Sequence, residues 1–170
     1  MRIKKIDDDY WETTKEAYVA WVKLNEALEN IESRKSNFPS GISEAVVGHI
    51  YGYDLKIDGA GDLYDSKNDK IIEVKATGNY DSDLSSFSPS EWYDNLIFVR
   101  YNPKRERFEI YDLKRNRDQI DKVLVNSTET YKDHREQGRR PRFSIIDKII
   151  KKEKLEPDEI FRIDTNSVNL

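Results

Sequence analysis

Residues 59–77, GAGDLYDSKNDKIIEVKAT, constrain the fold more than any other stretch of the chain. They read as two strands joined by a tight turn, the first over residues 62–65 and the second over 71–76. Residues 66–70, with Asn68 and Asp69 inside, are turn material, because short polar side chains tolerate the backbone angles a turn needs. Along the second strand Ile72, Val74 and Ala76 share one face, and Ile71, Glu73 and Lys75 take the other. A hairpin with an even loop pairs Asp65 with Lys70. The same register sets Asp62 directly opposite Glu73, on one face, with Cβ atoms roughly 5 Å apart. Opposed carboxylates repel each other, so something must offset the repulsion. A hard divalent cation does so, and Mg²⁺ commonly takes one or two carboxylates together with phosphate oxygens. Lys75 then stands beside the metal, in reach of a phosphate or an attacking water. The alternative is a solvated hairpin face on which Glu73 and Lys75 pair with each other.

Composition narrows what kind of protein carries this hairpin. The chain has no Cys, which excludes disulfides and thiolate metal sites. Its two His, His49 and His134, argue against zinc sites and His-based nuclease motifs. No apolar run approaches the roughly 18 residues of a membrane span, and no signal peptide opens the chain. The expectation is a soluble, cytoplasmic protein with no membrane partner. A length of 170 residues suits one domain with a sizeable core. The net charge of −4 does not suggest a polyanion partner, but its distribution does. Residues 1–99 carry 11 Lys/Arg against 19 Asp/Glu, whereas residues 100–154 carry 17 against 10. A basic block in an acidic chain points to a nucleic acid on one face, with a solvated basic surface as the alternative.

Taken in order, residues 1–10 are charged and read as irregular. Residues 11–34 read as an amphipathic helix whose apolar positions are Ala17, Trp21, Leu24, Leu28 and Ile31. A break at residues 37–41 precedes a second helix over 42–51, with Ser40 as candidate N-cap and Ile42, Ala45, Val46, His49 and Ile50 inward. Glu44 falls in its first turn, either as a dipole-favoured surface residue or as part of the site. Residues 51–57 lead into the hairpin and are a possible strand. The serine-rich segment 81–91, DSDLSSFSPSE, follows the site and can offer Ser85 and Ser86 to a phosphate, or lie on the surface as a plain loop. Residues 95–101 and 107–113 read as strands, 118–125 as a helix, and 127–137 as polar with a short helix. The segment 137–144, QGRRPRFS, packs Arg139, Arg140 and Arg142 around Pro141. Like charges so close repel unless an anion compensates. Arg and Gln side chains suit base edges or phosphates, so Gln137, with Lys132 and Arg135 upstream, joins the candidate DNA contacts. If the segment is extended, Arg140 and Arg142 point one way and Arg139 the other. Residues 145–155 read as a final helix with a basic face, ended by Pro157.

The pattern Asp-x10-Glu-Val-Lys at Asp62, Glu73 and Lys75 resembles the PD-(D/E)xK nuclease motif. With SGISEAVVG, DLSSFSPSEWYDNLIFVRY and QGRRPRFSI, the resemblance extends from about residue 38 to 146 and is to the type II restriction endonucleases. It is most similar to the small enzymes that cut the interrupted palindrome GCNGC. One departure is Gly61, where the superfamily motif has proline. The resemblance implies an α/β (α+β) fold, a mixed central sheet flanked by helices. It implies a single nuclease domain over 1–170, with a catalytic core at about 38–125 and a DNA-recognition segment at about 127–154. The implied chemistry is Mg²⁺-dependent phosphodiester hydrolysis of double-stranded DNA. Asp62, Glu73 and Glu44 are the implied metal ligands, with Lys75 as the fourth catalytic residue. A homodimer, a prokaryotic cytoplasm and a cognate DNA methyltransferase acting on the same site are implied too. The rival readings are a repair or junction-resolving nuclease of the same superfamily and a non-catalytic DNA-binding protein.

Overall fold

The run Asn95–Asn102, NLIFVRYN, is apolar on both faces, and a strand of that kind needs cover on both sides. It forms an interior strand of the sheet. The computed structural model describes residues 1–166 and 168. The elements in chain order are β1 (Ile3–Lys4), α1 (Asp8–Asn30), α2 (Ser40–Tyr51), β2 (Asp54–Lys56), β3 (Leu63–Asp65), β4 (Lys70–Thr77) and β5 (Ser85–Ser86). There follow β6 (Asn95–Asn102), β7 (Arg107–Asp112), α3 (Arg117–Ile120), α4 (Tyr131–Glu136) and β8 (Arg142–Phe143). A π-helical turn, Ile146–Ile150, runs into α5 (Lys151–Glu153), and β9 (Glu159–Phe161) comes last.

Seven strands pair in the order β1-β2-β3-β4-β6-β7-β9. β4 and β6 run parallel, with Glu73 beside Leu96 and Lys75 beside Phe98. The other neighbours in this sheet are antiparallel. Alternation along each strand sorts the core onto two faces. On one face, Ile72, Val74, Ile97, Val99, Phe108 and Ile110 lie under α1 and α2. On the other, Leu96, Phe98 and Tyr111 lie under Phe87, Tyr93, Tyr131, Phe143 and Ile146. This is the expected α/β (α+β) architecture, a mixed sheet flanked by helices.

Several elements depart from their expected form. The buried stripe of α1 is Trp11, Thr14, Tyr18, Trp21 and Asn25, whereas Leu24 is 49% exposed, Ile31 72%, and Ala17 faces solvent. Burial of three large aromatic rings decides the helix orientation. The two polar members of the stripe are satisfied: Thr14 donates to the Tyr10 carbonyl, and Asn25 donates to the Trp21 carbonyl and accepts from Ser36. α1 starts at Asp8, capped by Asp7, and ends at Asn30 rather than 34. In α2 the capping position falls on Pro39, and Ser40 is already helical, so Glu44 lies in the second turn. His49 is exposed at the end of α2 and stacks on Trp11 at 4.0 Å. The helix expected over 118–125 is a single turn, because Asn126 accepts from the Thr128 and Glu129 N–H groups and favours a local turn over a continued helix. The edge strands β1 and β9 are short and charged and carry no alternating signal.

Candidate active site

The hairpin register places the acids. Asp65 pairs with Lys70 and Leu63 with Ile72. β3 stops at Leu63, yet the ladder continues one bond further, because the Asp62 N–H donates to the Ile72 carbonyl at 2.9 Å. Beyond it the Val74 N–H has no strand partner, and the Asp62 carboxylate supplies one, Oδ2 accepting at 2.8 Å. The Asp62 side chain therefore bends along the strand edge instead of standing free on the face. Gly61 makes this possible. Its φ is +75°, and a Cβ there would lie 2.2 Å from Ile71 Cγ2. Proline, locked near φ −65°, cannot occupy this position, which accounts for the departure from the superfamily motif.

Glu73 is 1% exposed, one of the most buried charged side chains of the sheet. Its Oε1 is in contact with the Lys75 ammonium, and its Oε2 is buried with no hydrogen-bond partner among the described residues. Burial and the neighbouring Asp62 raise the Glu73 carboxyl to about 8, against the lowering effect of Lys75. Burial also raises Asp62, opposed by the Val74 N–H. Burial and Asp62 raise Glu44 to about 7, so Glu44 faces the same cluster from α2. For Lys75 burial opposes the charge, but Glu73, Asp62 and Glu91 outweigh it and raise its pKa. Its Nζ lies 5.0 Å above the Phe87 ring.

These groups suit a divalent cation. An orphaned carboxylate oxygen, buried beside a second carboxylate, is a costly arrangement for the bare protein, and a cation removes that cost. Among the described residues no group of three or more His, Cys, Asp or Glu converges into a protein-only cage.

The candidate DNA contacts divide into free and engaged groups. β5 and β8 pair, Ser85 with Phe143 and Ser86 with Arg142, so the serine segment and the arginine segment form one small ribbon. The Ser85 hydroxyl donates to Asp83 at 2.7 Å, and the Ser86 Oγ is buried, so neither reaches open surface. Arg135 is held bidentately by Asp121 at 2.8 and 3.1 Å. Lys132 pairs loosely with Glu136 at 3.6 Å. Arg139 donates to Glu129 and also to the Gln137 side-chain amide oxygen. Pro141 and Phe143 are buried, whereas Arg140 and Arg142 are exposed and unpaired among the described residues.

A search of known proteins adds a family to this geometry. The profile of the Bsp6I restriction endonuclease family matches residues 6–152. The type II restriction enzyme Bsp6I of Bacillus sp. (strain RFL6) is 42% identical over 153 residues, 90% of this chain and 88% of the relative. The chain belongs to the Bsp6I restriction endonuclease family. It is a type II restriction endonuclease, a site-specific deoxyribonuclease. That displaces the repair-nuclease and non-catalytic readings. No solved structure matches the chain.

Two residues at the heart of this Bsp6I-family fold escape the sequence pattern. Glu91 acts electrostatically on Asp62, Glu73 and Lys75. It lies in the SPSEWYD stretch, whose acid carries no spacing rule relative to the hairpin. Asp83 accepts from the Ser144 hydroxyl and from the Ile145 and Ile146 N–H groups at 2.8–3.0 Å. It caps a helix 60 residues downstream, a long-range contact with no local sequence signature.

Proposed function

We propose that this enzyme hydrolyses DNA by PD-(D/E)xK chemistry, with Asp62 and Glu73 holding Mg²⁺ and Glu44 completing the site from α2. The supporting observation is the buried, partnerless Glu73 Oε2 beside the Asp62 carboxylate. Type II restriction enzymes generally need a divalent metal. Bound here, Mg²⁺ would supply Lewis acidity and lower the pKa of water. The Asp62 side chain, fixed by the Val74 N–H, keeps its other oxygen available without losing its orientation. Lys75 is charged at neutral pH, since its carboxylate neighbours raise its pKa. In this reading it orients or helps deprotonate the attacking water and stabilises charge building on the phosphate. Water adds to phosphorus, the P–O ester bond breaks, and the leaving oxygen takes up a proton.

The substrate in this reading is double-stranded DNA carrying GCNGC, read by the segment at about 127–154 against a catalytic core at about 38–125 within one nuclease domain. Arg140 and Arg142 are its base-reading candidates, Lys132 a phosphate contact. Arg135, Arg139, Gln137, Ser85 and Ser86 hold that segment in shape. A homodimer in a prokaryotic cytoplasm, with a methyltransferase protecting the same sites, completes the proposal.

Digestion of a sequenced plasmid with Mg²⁺ and mapping of the ends tests it. Asp62→Ala, Glu73→Ala and Lys75→Ala each abolish cleavage while DNA binding survives. Glu44→Ala causes partial loss. Near-normal cleavage by Asp62→Ala would remove the site assignment.

A further inference from the structure

We propose that a cleft at the carboxyl end of β4 seats the phosphodiester backbone of the strand being cut, with Lys35, Lys104 and Arg105 as its phosphate contacts. The inference rests on placing the active site at Glu73 and Lys75. The cleft encloses about 870 Å³ and begins with Ala76 and Thr77, the residues that directly follow Lys75. The cleft therefore opens at the same end of β4 as Lys75.

The cleft is built before any ligand arrives. Gly78 forms its floor against aromatic rings: a Cβ there would sit 3.3 Å from the Trp21 ring and 3.4 Å from Phe38 Cβ. Trp21 Nε1 donates to the Asn37 carbonyl at 3.1 Å and holds the α1–α2 linker in place. The Thr77 hydroxyl, bonded to Asn79 and Ser82, fixes the loop after β4. Lys35 enters from the linker, and Lys104 and Arg105 from the β6–β7 turn, which Asn102 closes by accepting the Arg105 N–H at 3.2 Å.

The charges around the cleft do not balance internally. Two acids line it, Asp81 and Asp83. Asp83 is consumed by Ser85, Ser144 and two backbone N–H groups, which leaves Asp81 exposed at the rim. Lys35, Lys104 and Arg105 are exposed and have no ion-pair partner among the described residues. By contrast, Arg107, Arg115, Arg135 and Arg139 are each paired with a carboxylate. Three unpaired cations around one concave surface repel each other until an anion enters. A chain of phosphates complements that charge. Such contacts position the duplex and carry no sequence information.

The test is a triple variant, Lys35→Ala/Lys104→Ala/Arg105→Ala, with an unchanged melting temperature as the check on folding. Binding to a short random-sequence duplex and to one carrying GCNGC is measured in Ca²⁺ across a salt series. The variant is expected to bind both duplexes more weakly by the same factor. Its salt slope should fall by about 0.9 per lost phosphate contact, roughly 2.7 in all. Wild-type affinity and slope in the variant would overturn the proposal, as would a loss confined to the GCNGC duplex. Failure of the active-site assignment is separable, because it shows as cleavage retained by Lys75→Ala whatever the salt slope.

Discussion

That Asp62, Glu73 and Lys75 come together was legible from the sequence, because hairpin register is a matter of counting, and Asp65 does pair with Lys70 and Leu63 with Ile72. The direction of the Asp62 side chain was not legible, since it depends on a Val74 N–H left without a strand partner. Gly61 follows from the same geometry. Gly61→Ala puts a side chain at φ +75° and drives its Cβ into Ile71. A strained backbone of this kind costs about 1–3 kcal/mol, so a lower denaturation midpoint is expected, with weakened cleavage because Asp62 is the next residue. The acids also fix a pH dependence. In the metal-free protein Glu73 titrates at about 8 and Glu44 at about 7, against an ordinary value of 4.5. The folded state then binds more protons than the unfolded state in the window between those values, so stability falls as pH rises. Melting in a chelator should show the loss between about 4.5 and about 8, and Glu73→Gln should flatten it. A metal-free protein whose melting temperature climbs through that window would contradict the burial argument.

At the level of elements, strong strands and the first two helices were readable, because periodicity and breakers mark them. The orientation of α1 was not, because its buried stripe includes Thr14 and Asn25, whose suitability depends on hydrogen bonds made only in the folded chain. The β5–β8 ribbon escaped for a similar reason: each strand has two residues, and the pair exists only through a distant partner. The alternation within the arginine segment was readable, and it carries a prediction. Arg139 pairs with a carboxylate, Glu129, while Arg140 and Arg142 are exposed on either side of the buried Pro141. A bidentate Arg–guanine contact is worth roughly 1–3 kcal/mol of discrimination. Arg140→Ala and Arg142→Ala should therefore weaken cognate binding far more than random-sequence binding. Lys148→Ala, exposed on the π-helical turn, should weaken both alike. Competition binding in Ca²⁺ decides. An unchanged ratio of specific to non-specific affinity in the arginine variants moves base reading elsewhere.

At the scale of the whole molecule, the proposed recognition segment and the proposed active site share one layer of core. Phe87 carries Lys75 above its ring at 5.0 Å, stacks on Phe143 of β8 at 5.4 Å, and meets Tyr131 of α4 edge-on at 5.2 Å. Any rearrangement of the arginine ribbon must repack the floor beneath Lys75, since close-packed cores transmit strain. A single hairpin supplies one such site per chain, and one site hydrolyses one strand. The proposed homodimer would match a symmetric recognition sequence with a two-fold pair of chains, each bringing one site to one strand. Mixed dimers test this arrangement. Exchange with an excess of Lys75→Ala chains should leave most wild-type chains in complexes with a single working site, so supercoiled plasmid should accumulate as nicked circles instead of linear product. Sedimentation of the free protein should give twice the chain mass. If the mixture merely slows the appearance of linear DNA in proportion to dilution, with no excess of nicked circles, each chain cuts both strands on its own.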